Sequence, residues 1–254
     1  MESQSQTHSA PVNGVVGASL PRTDGREKVT GRAVFITDLH IPGMVHAKLW
    51  RSPLPHARIR NIDTAAAAAS PGVLAVLTAD DFAAYDRYFG PAFKDQPMLA
   101  IDRVRYAGEP VVAVIATSER EAESALRLLD ADLEALSAVT HLDEALAPDA
   151  PLLHENLRTS GHFRDLSNLR PVPGTNICHH FQYERGDIDQ GFAQADHIFE
   201  HTFTFPMVHH YSMEPHVSIA QAEDDRITVW AATQHPLGAF LLEPHLKLKV
   251  PSPI

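Results

Sequence analysis

The sequence predicts an α/β protein, more narrowly of the α+β type, in which short strands alternate with capped helices. First, the apolar run VVAVIA at 111–116 has the length and β-branched content of a buried strand. Second, Thr117 or Ser118 can cap a helix that begins with acidic residues and carries apolar or small side chains at helical spacing to about Leu129. A strand followed by a one-sided helix is the firmest element of the predicted fold.

The first elements are short. Residues 1–25 are polar and rich in Ser, Gln and Gly, so we expect a flexible lead-in. From Arg32 to Asp63 the strand-like runs AVFITD, MVHAKLWRS and ARIRNID alternate with turn residues such as IPG and PLPH. This segment is predicted to be rich in β-strands with tight turns.

An alanine run marks the next element. Residues 63–70 (DTAAAAAS) have an Asp or Thr cap, five alanines and a following Pro-Gly stop, which predicts a short helix. Residues 72–78 (GVLAVLT) predict a buried strand, and 79–85 a capped turn or helix.

The second half begins after a proline-rich stretch. Residues 140–178 carry several prolines and little periodicity, which predicts a loop-like domain boundary. Beyond it, 187–195 predict a short helix, while 197–205, 208–221 and 226–233 predict strands. The expected organisation is a lead-in at 1–25, a first domain at 26–140, a linker at 141–177 and a second domain segment at 178–254.

Composition excludes several classes of protein. The net charge of -11 disfavours binding to nucleic acid, and no apolar run approaches the roughly 20 residues that span a bilayer. The polar start without a basic residue does not resemble a secretory signal, so we expect a cytoplasmic protein. The single cysteine, Cys178, cannot hold an iron–sulfur cluster, and no GxGxxG or GxxxxGK[ST] pattern suggests a nucleotide site.

Several segments, taken together and in order, resemble the xanthine dehydrogenase and aldehyde oxidase family. PRTDGREKVTGRAVFITD, HAKLWRSPLPHARI and RVRYAGEPVVAVIA are similar to its a/b hammerhead domain. ERGDIDQGFAQADHIFEHTF, MVHHYSMEPHVSIA and ITVWAATQHP are similar to the start of its first molybdopterin-binding domain. The resemblance extends from about residue 17 to 250.

The resemblance implies a molybdenum hydroxylase. Such an enzyme oxidises an aldehyde or an N-heterocycle with oxygen from water, at a molybdenum held by the dithiolene of molybdopterin. The implied partners are an iron–sulfur subunit with [2Fe-2S] centres, an FAD subunit and a small-molecule substrate. A glycine-rich GGFGGK-like loop and the family's catalytic glutamate do not occur in this sequence. We therefore expect no catalytic residue here and a further chain that supplies the remaining large-subunit portion.

One residue is a candidate cofactor contact. Gln234, in TQHP, is similar to a family glutamine that hydrogen-bonds near the apical ligand of molybdenum. A neutral amide donor suits that position because it polarises an oxygen ligand without adding charge.

Other polar residues favour structural roles. Glu109 follows a turn glycine and precedes a proline, which is typical of a solvated or capping carboxylate. His210, Ser212, Glu214 and His216 would share one face of a strand and could bind zinc if a partner strand added a ligand. The interpretation preferred for this row is a packed strand, with no metal bound.

The aromatic side chains of this region have the spacing of a strand core; they are Phe181, Tyr183, Phe199, Phe203 and Phe205. Three hypotheses remain open. In the first, the chain is part of a molybdenum hydroxylase whose large subunit is divided by a split gene or a truncation. In the second, it is a non-catalytic remnant or scaffold that binds partners without cofactor. In the third, it is a histidine metalloprotein.

Overall fold

Strand β7 (Pro110–Ala116) is the centre of the N-terminal half. The computed structural model describes residues 17–161, 166, 168–223 and 226–233. Strand β7 lies between β1 (His46–Arg51) and β3 (Val73–Leu77) in an antiparallel sheet. Four of its side chains are 0% exposed, which confirms the predicted buried strand.

A second antiparallel sheet packs beside the first. Strand β2 (Ala57–Asp63) lies between β6 (Arg103–Val104) and β8 (Asp130–Ala135). Strand β8 is absent from the predicted elements, although its sequence DADLEA alternates acidic and apolar residues. A short pair, β4 (Tyr88–Phe89) with β5 (Gln96–Pro97), completes this half of the protein.

Three α-helices lie between residues 17 and 130. They are α1 (Gly25–Val29), α2 (Ala65–Ala68) and α3 (Glu119–Leu126). The predicted helices α2 and α3 are confirmed, and residues 79–82 form the predicted capped turn as a 3₁₀ helix.

Helix α3 is capped as its sequence predicts. The Ser118 hydroxyl accepts the Glu121 backbone N–H at 3.3 Å and donates to the Glu121 carboxylate at 2.8 Å, which satisfies a donor at the helix start. On the inner face, Ala122 and Ala125 are fully buried against the first sheet and form a core cluster with Val114. Small side chains at these positions let the helix approach the sheet closely.

The first half also departs from prediction in two places. The run AVFITD is not a strand; its last three residues, Ile36–Asp38, form a 3₁₀ turn in which the Asp38 carboxylate accepts the Phe35 N–H at 2.9 Å. The predicted loop contains a helix, α4 (Leu142–Leu146), whose start is fixed by the Glu144 carboxylate accepting backbone N–H groups. In both, a carboxylate three or four residues downstream stabilises a turn that periodicity does not reveal.

The stretch after α4 is tied to the first half. Within the stretch, Asn176 accepts the Leu153 N–H at 3.0 Å and donates to the carbonyls of Ala145 and Pro151, and the Arg105 side chain of the first half donates to the Leu153 carbonyl at 2.8 Å. Farther along, Phe93 and Thr159 form an isolated β-bridge. Residues predicted to be a linker therefore pack on the hammerhead-like half, while the predicted domain boundaries themselves stay predictions.

The second half has little secondary structure among its described residues. Helix α5 (Ile188–Gln194) is confirmed, with Asp187 accepting the Gln190 N–H at 2.8 Å. Strands β9 (Ser218–Glu223) and β10 (Arg226–Ala231) form an antiparallel hairpin. The predicted strand at 197–205 and the first part of that at 208–221 are wrong, because no described residue there has strand pairing.

Candidate functional site

The open end of the β9–β10 hairpin gathers the segments that carry the family resemblance. Ser218 pairs with Ala231, and the Ala232 N–H donates to the Val217 carbonyl at 3.4 Å. Val217, just before β9, and Ala232, just after β10, are therefore neighbours in space. Gln234, the predicted cofactor contact, follows two residues after Ala232 and lies outside the described residues.

The histidine row predicted on a strand face is not present. His210, Ser212, Glu214 and His216 are not in a strand, and Tyr211 interrupts the extended chain with a φ of 47°. Among the residues that the structure describes, no group of three or more His, Cys, Asp or Glu side chains could hold a metal ion. These residues alternate in the sequence, but without strand pairing their side chains are not held on one face.

The aromatic side chains are exposed, so the prediction that they form core is wrong. Phe199, Phe203 and Phe205 are 80%, 78% and 86% exposed. Phe181 and Tyr183 are likewise exposed, and the nearby Met207 and Met213 are almost fully accessible. These large apolar side chains are therefore accessible to solvent along the chain. We call the exposed segment 197–213 the aromatic segment.

A groove separates the hairpin from the first sheet. It has a volume of about 930 Å³ and is lined by residues 36–49 on one side and 215–221 on the other. Its charged edge is Lys48, which is hydrogen-bonded to Glu119 and lies 3.2 Å from Glu123. The hydrogen bond that Lys48 donates to the Glu119 carboxylate raises the pKa of Lys48 and lowers the pKa of Glu119. This edge is a surface ion-pair network at the base of α3.

Glu109 lies in the first half and is buried, which corrects its prediction as a solvated carboxylate. Its side chain accepts the Arg105 backbone N–H and is 1% exposed, while its Oε1 atom has no hydrogen-bond partner. Burial raises the pKa of this carboxyl. Its position is fixed because the Ser52 N–H donates to the Glu109 carbonyl and the Gly108 N–H donates to the Ser52 carbonyl. The capping part of the prediction is right, since Glu109 closes a backbone turn.

Two family models match these two halves. Residues 30–137 match the a/b hammerhead domain of aldehyde oxidase and xanthine dehydrogenase, and residues 170–241 match the molybdopterin cofactor-binding domain. Fold and site thus define a hammerhead domain followed by a molybdopterin cofactor-binding segment. The chain belongs to the xanthine dehydrogenase and aldehyde oxidase family, as a molybdopterin-binding subunit sequence.

Curated relatives and solved structures agree with this assignment. The chain is 39% identical over 218 residues to one subunit of a probable xanthine dehydrogenase of Bacillus subtilis, covering 85% of this chain and 27% of that protein. It is 30% identical to the nicotinate dehydrogenase large molybdopterin subunit of Eubacterium barkeri, covering 93% of this chain and 53% of that protein.

Among solved structures, Cu,Mo-CO dehydrogenase matches with a TM-score of 0.76 and 29% identity, over 93% of this chain and 31% of that chain. The aldehyde oxidoreductase of Desulfovibrio gigas matches with a TM-score of 0.71 and 26% identity, over 95% of this chain and 26% of that chain. The predicted α+β class and hammerhead fold are confirmed. The chain spans about a quarter to a half of the length of these relatives.

Proposed function

We propose that the chain acts as part of a molybdenum hydroxylase that oxidises an aldehyde or an N-heterocycle with oxygen from water. In this role it supplies the hammerhead domain and one wall of the molybdopterin site. The observation that carries the proposal is the β9–β10 hairpin, which lies within the segment matched to molybdopterin-binding domains and whose second strand leads in sequence toward Gln234.

The cofactor of this proposal carries its own metal ligands. Molybdenum held by a pterin dithiolene needs no cluster of Cys or His side chains from the protein. The bound cofactor would supply the oxidation chemistry. The role of this chain would be to place a neutral donor: the Gln234 side-chain amide would donate an N–H to the bound cofactor without adding charge.

The proposed partner is a polypeptide carrying the rest of a large subunit, with the glycine-rich loop and the catalytic glutamate. Support comes from the aromatic segment, whose phenylalanines are about four-fifths exposed and whose burial would remove a large apolar area from water. The hairpin adds two strand edges that can pair with a partner. Iron–sulfur and FAD subunits would complete electron transfer.

No helix in the described part of the chain is long and apolar enough to cross a membrane. A cytoplasmic location is our proposal.

Co-expression with such a partner tests the proposal. We expect the two chains to co-purify and to retain molybdenum, measured by inductively coupled plasma mass spectrometry. Replacing Gln234 by Ala should lower activity or metal affinity by about 10–100-fold, the usual cost of losing a group that supports a metal site. Gln194→Ala, at the exposed end of α5, is the matched control and should change neither.

Two results would contradict the proposal in different ways. A stable complex without molybdenum would favour the alternative that the chain is a non-catalytic scaffold. A molybdenum-loaded, active complex in which Gln234→Ala behaves like Gln194→Ala would retain the enzyme assignment and remove the role of Gln234.

A further inference from the structure

A second cavity lies on the first half, where residues 153–158 cross the chain at Tyr88 and Lys94. Its volume is about 360 Å³. The crossing is held by backbone contacts: the Lys94 N–H donates to the Arg158 carbonyl at 2.9 Å, and the Phe93–Thr159 bridge follows. The walls are therefore fixed by main-chain hydrogen bonds in addition to side-chain packing.

The cavity is lined by more cations than carboxylates. Four basic side chains line it, against two acidic ones, Asp102 and Glu155. The acidic side chains are 57% and 60% exposed, whereas the basic ones are mostly less so: Lys94 20%, Arg103 22%, Arg105 12% and Arg158 56%. Arg103 pairs with both of these carboxylates, at 3.2 Å and 3.1 Å, which leaves Lys94, Arg105 and Arg158 as the lining cations that face no closely paired lining carboxylate.

Arg105 is the most buried of these cations and is held at one edge. Its Nε donates to the Leu153 carbonyl at 2.8 Å and its Nη1 to the Arg103 carbonyl at 3.4 Å. Its Nη2 lies 3.9 Å from Asp102, too far for a hydrogen bond. A guanidinium fixed in this way offers its other edge to a planar or tetrahedral oxyanion.

Lys94 and Arg158 also line the cavity, and they share one carboxylate. Both pair with Asp86, which is not among the lining residues, Arg158 at 2.6 Å. One carboxylate thus offsets two cations. Beside them, burial and then the charge of Arg105 lower the pKa of His154, so this imidazole contributes polarity without charge at neutral pH.

We propose that this cavity binds a small organic molecule through an oxyanion group, a phosphate or a carboxylate, held between Arg105 and the Lys94–Arg158 pair. The volume lies at the lower end of the range for small-molecule sites, and Leu153, Leu157 and Tyr88 give it a partly apolar wall for the organic portion. The site lies in the hammerhead half and does not depend on molybdenum.

Titration of the purified full chain with sodium phosphate and, separately, with succinate tests the proposal. Calorimetry at constant ionic strength keeps general screening equal in both arms. We expect saturable binding of at least one anion, weakened about tenfold by Lys94→Gln and by Arg158→Gln. The anion that binds more tightly identifies the group recognised.

Matched variants distinguish binding at this cavity from a nonspecific effect of the protein's net charge. Arg60→Gln removes an arginine of similar exposure, 52%, that pairs with Glu134 on the second sheet, and it should leave binding unchanged. Arg158→Lys keeps the charge and should restore most of the affinity lost in Arg158→Gln. Absence of saturable binding by wild-type protein up to about 10 mM of either anion would overturn the proposal. Equal weakening by Arg60→Gln would do the same, leaving the cluster as an ion-pair network.

Discussion

Replacing Glu109 by Gln should stabilise the protein at neutral and alkaline pH. The carboxyl is 1% exposed and its Oε1 has no partner, so ionisation places a charge in a site that water cannot reach. Glutamine keeps the shape and the oxygen that accepts the Arg105 N–H but cannot ionise. Both side chains leave the atom at the Oε1 position without a partner, so the cost of that unsatisfied atom cancels, and the expected gain of about 1–3 kcal/mol comes from removing the buried charge.

The gain should depend on pH in a defined direction. Burial raises the pKa of Glu109 in the folded state, so the folded protein binds this proton more tightly than the unfolded chain does. The stabilisation from the protonated form is complete below the ordinary glutamate pKa of about 4.3 and is lost as the pH rises through the folded value. Wild type and Glu109→Gln should therefore be similar near pH 4.5 and diverge toward pH 8.

Urea unfolding followed by circular dichroism measures this divergence. With a slope of about 2 kcal/mol per molar, the expected gain shifts the midpoint by about 0.5–1.5 M at pH 8. Glu119→Gln is the control with opposite sign, because Lys48 lowers the pKa of Glu119 and the contribution of that exposed pair is lost as the pH falls. A Glu109→Gln difference that is constant with pH, or a loss of stability at pH 8, would refute the reasoning.

Two further substitutions test the local structure. Ser118→Ala removes the cap of α3 and should cost about 1 kcal/mol of unfolding free energy, measured in urea. The control Ser124→Ala loses only a hydrogen bond to the Arg120 carbonyl and should cost little. Equal losses in the two variants would argue against the cap. Asn176→Ala leaves the Leu153 N–H without its acceptor, so it should lower the free energy of unfolding by about 1–3 kcal/mol and speed proteolysis between residues 147 and 160. Cleavage no faster than in the exposed control Asn61→Ala would contradict this role of Asn176.

The sequence predicted elements best where local signals agree with their neighbours. Strand β7 has a continuous apolar run, helix α3 has both an apolar face and an N-cap, and both elements are present. Strand β8 was missed although Ala131 and Leu133 alternate with acidic residues, a pattern that favours a half-buried strand. The burial of Glu109 had no such signal, because it depends on hydrogen bonds between residues 108–109 and Ser52, which is far away in the sequence.

The second half shows the limit of periodicity. A strand is stable only when its backbone N–H and C=O groups have hydrogen-bond partners. An alternating pattern indicates which face of the strand is apolar, but it does not identify the neighbouring strand that supplies those partners. The aromatic segment alternates His, Phe and Thr as a half-buried strand would, yet Phe199 and Phe205 are exposed and no described residue pairs with them.

The same pattern thus supports a conclusion about the partner. Since the aromatic segment has strand spacing and an apolar face, a polypeptide that pairs with it would bury that face and convert the predicted strand into an actual one. On this reasoning, one sequence pattern explains both the missing strand and the proposed partner. The pattern is that of a sheet, and β9 and β10 are the two strands of it that pair within this chain.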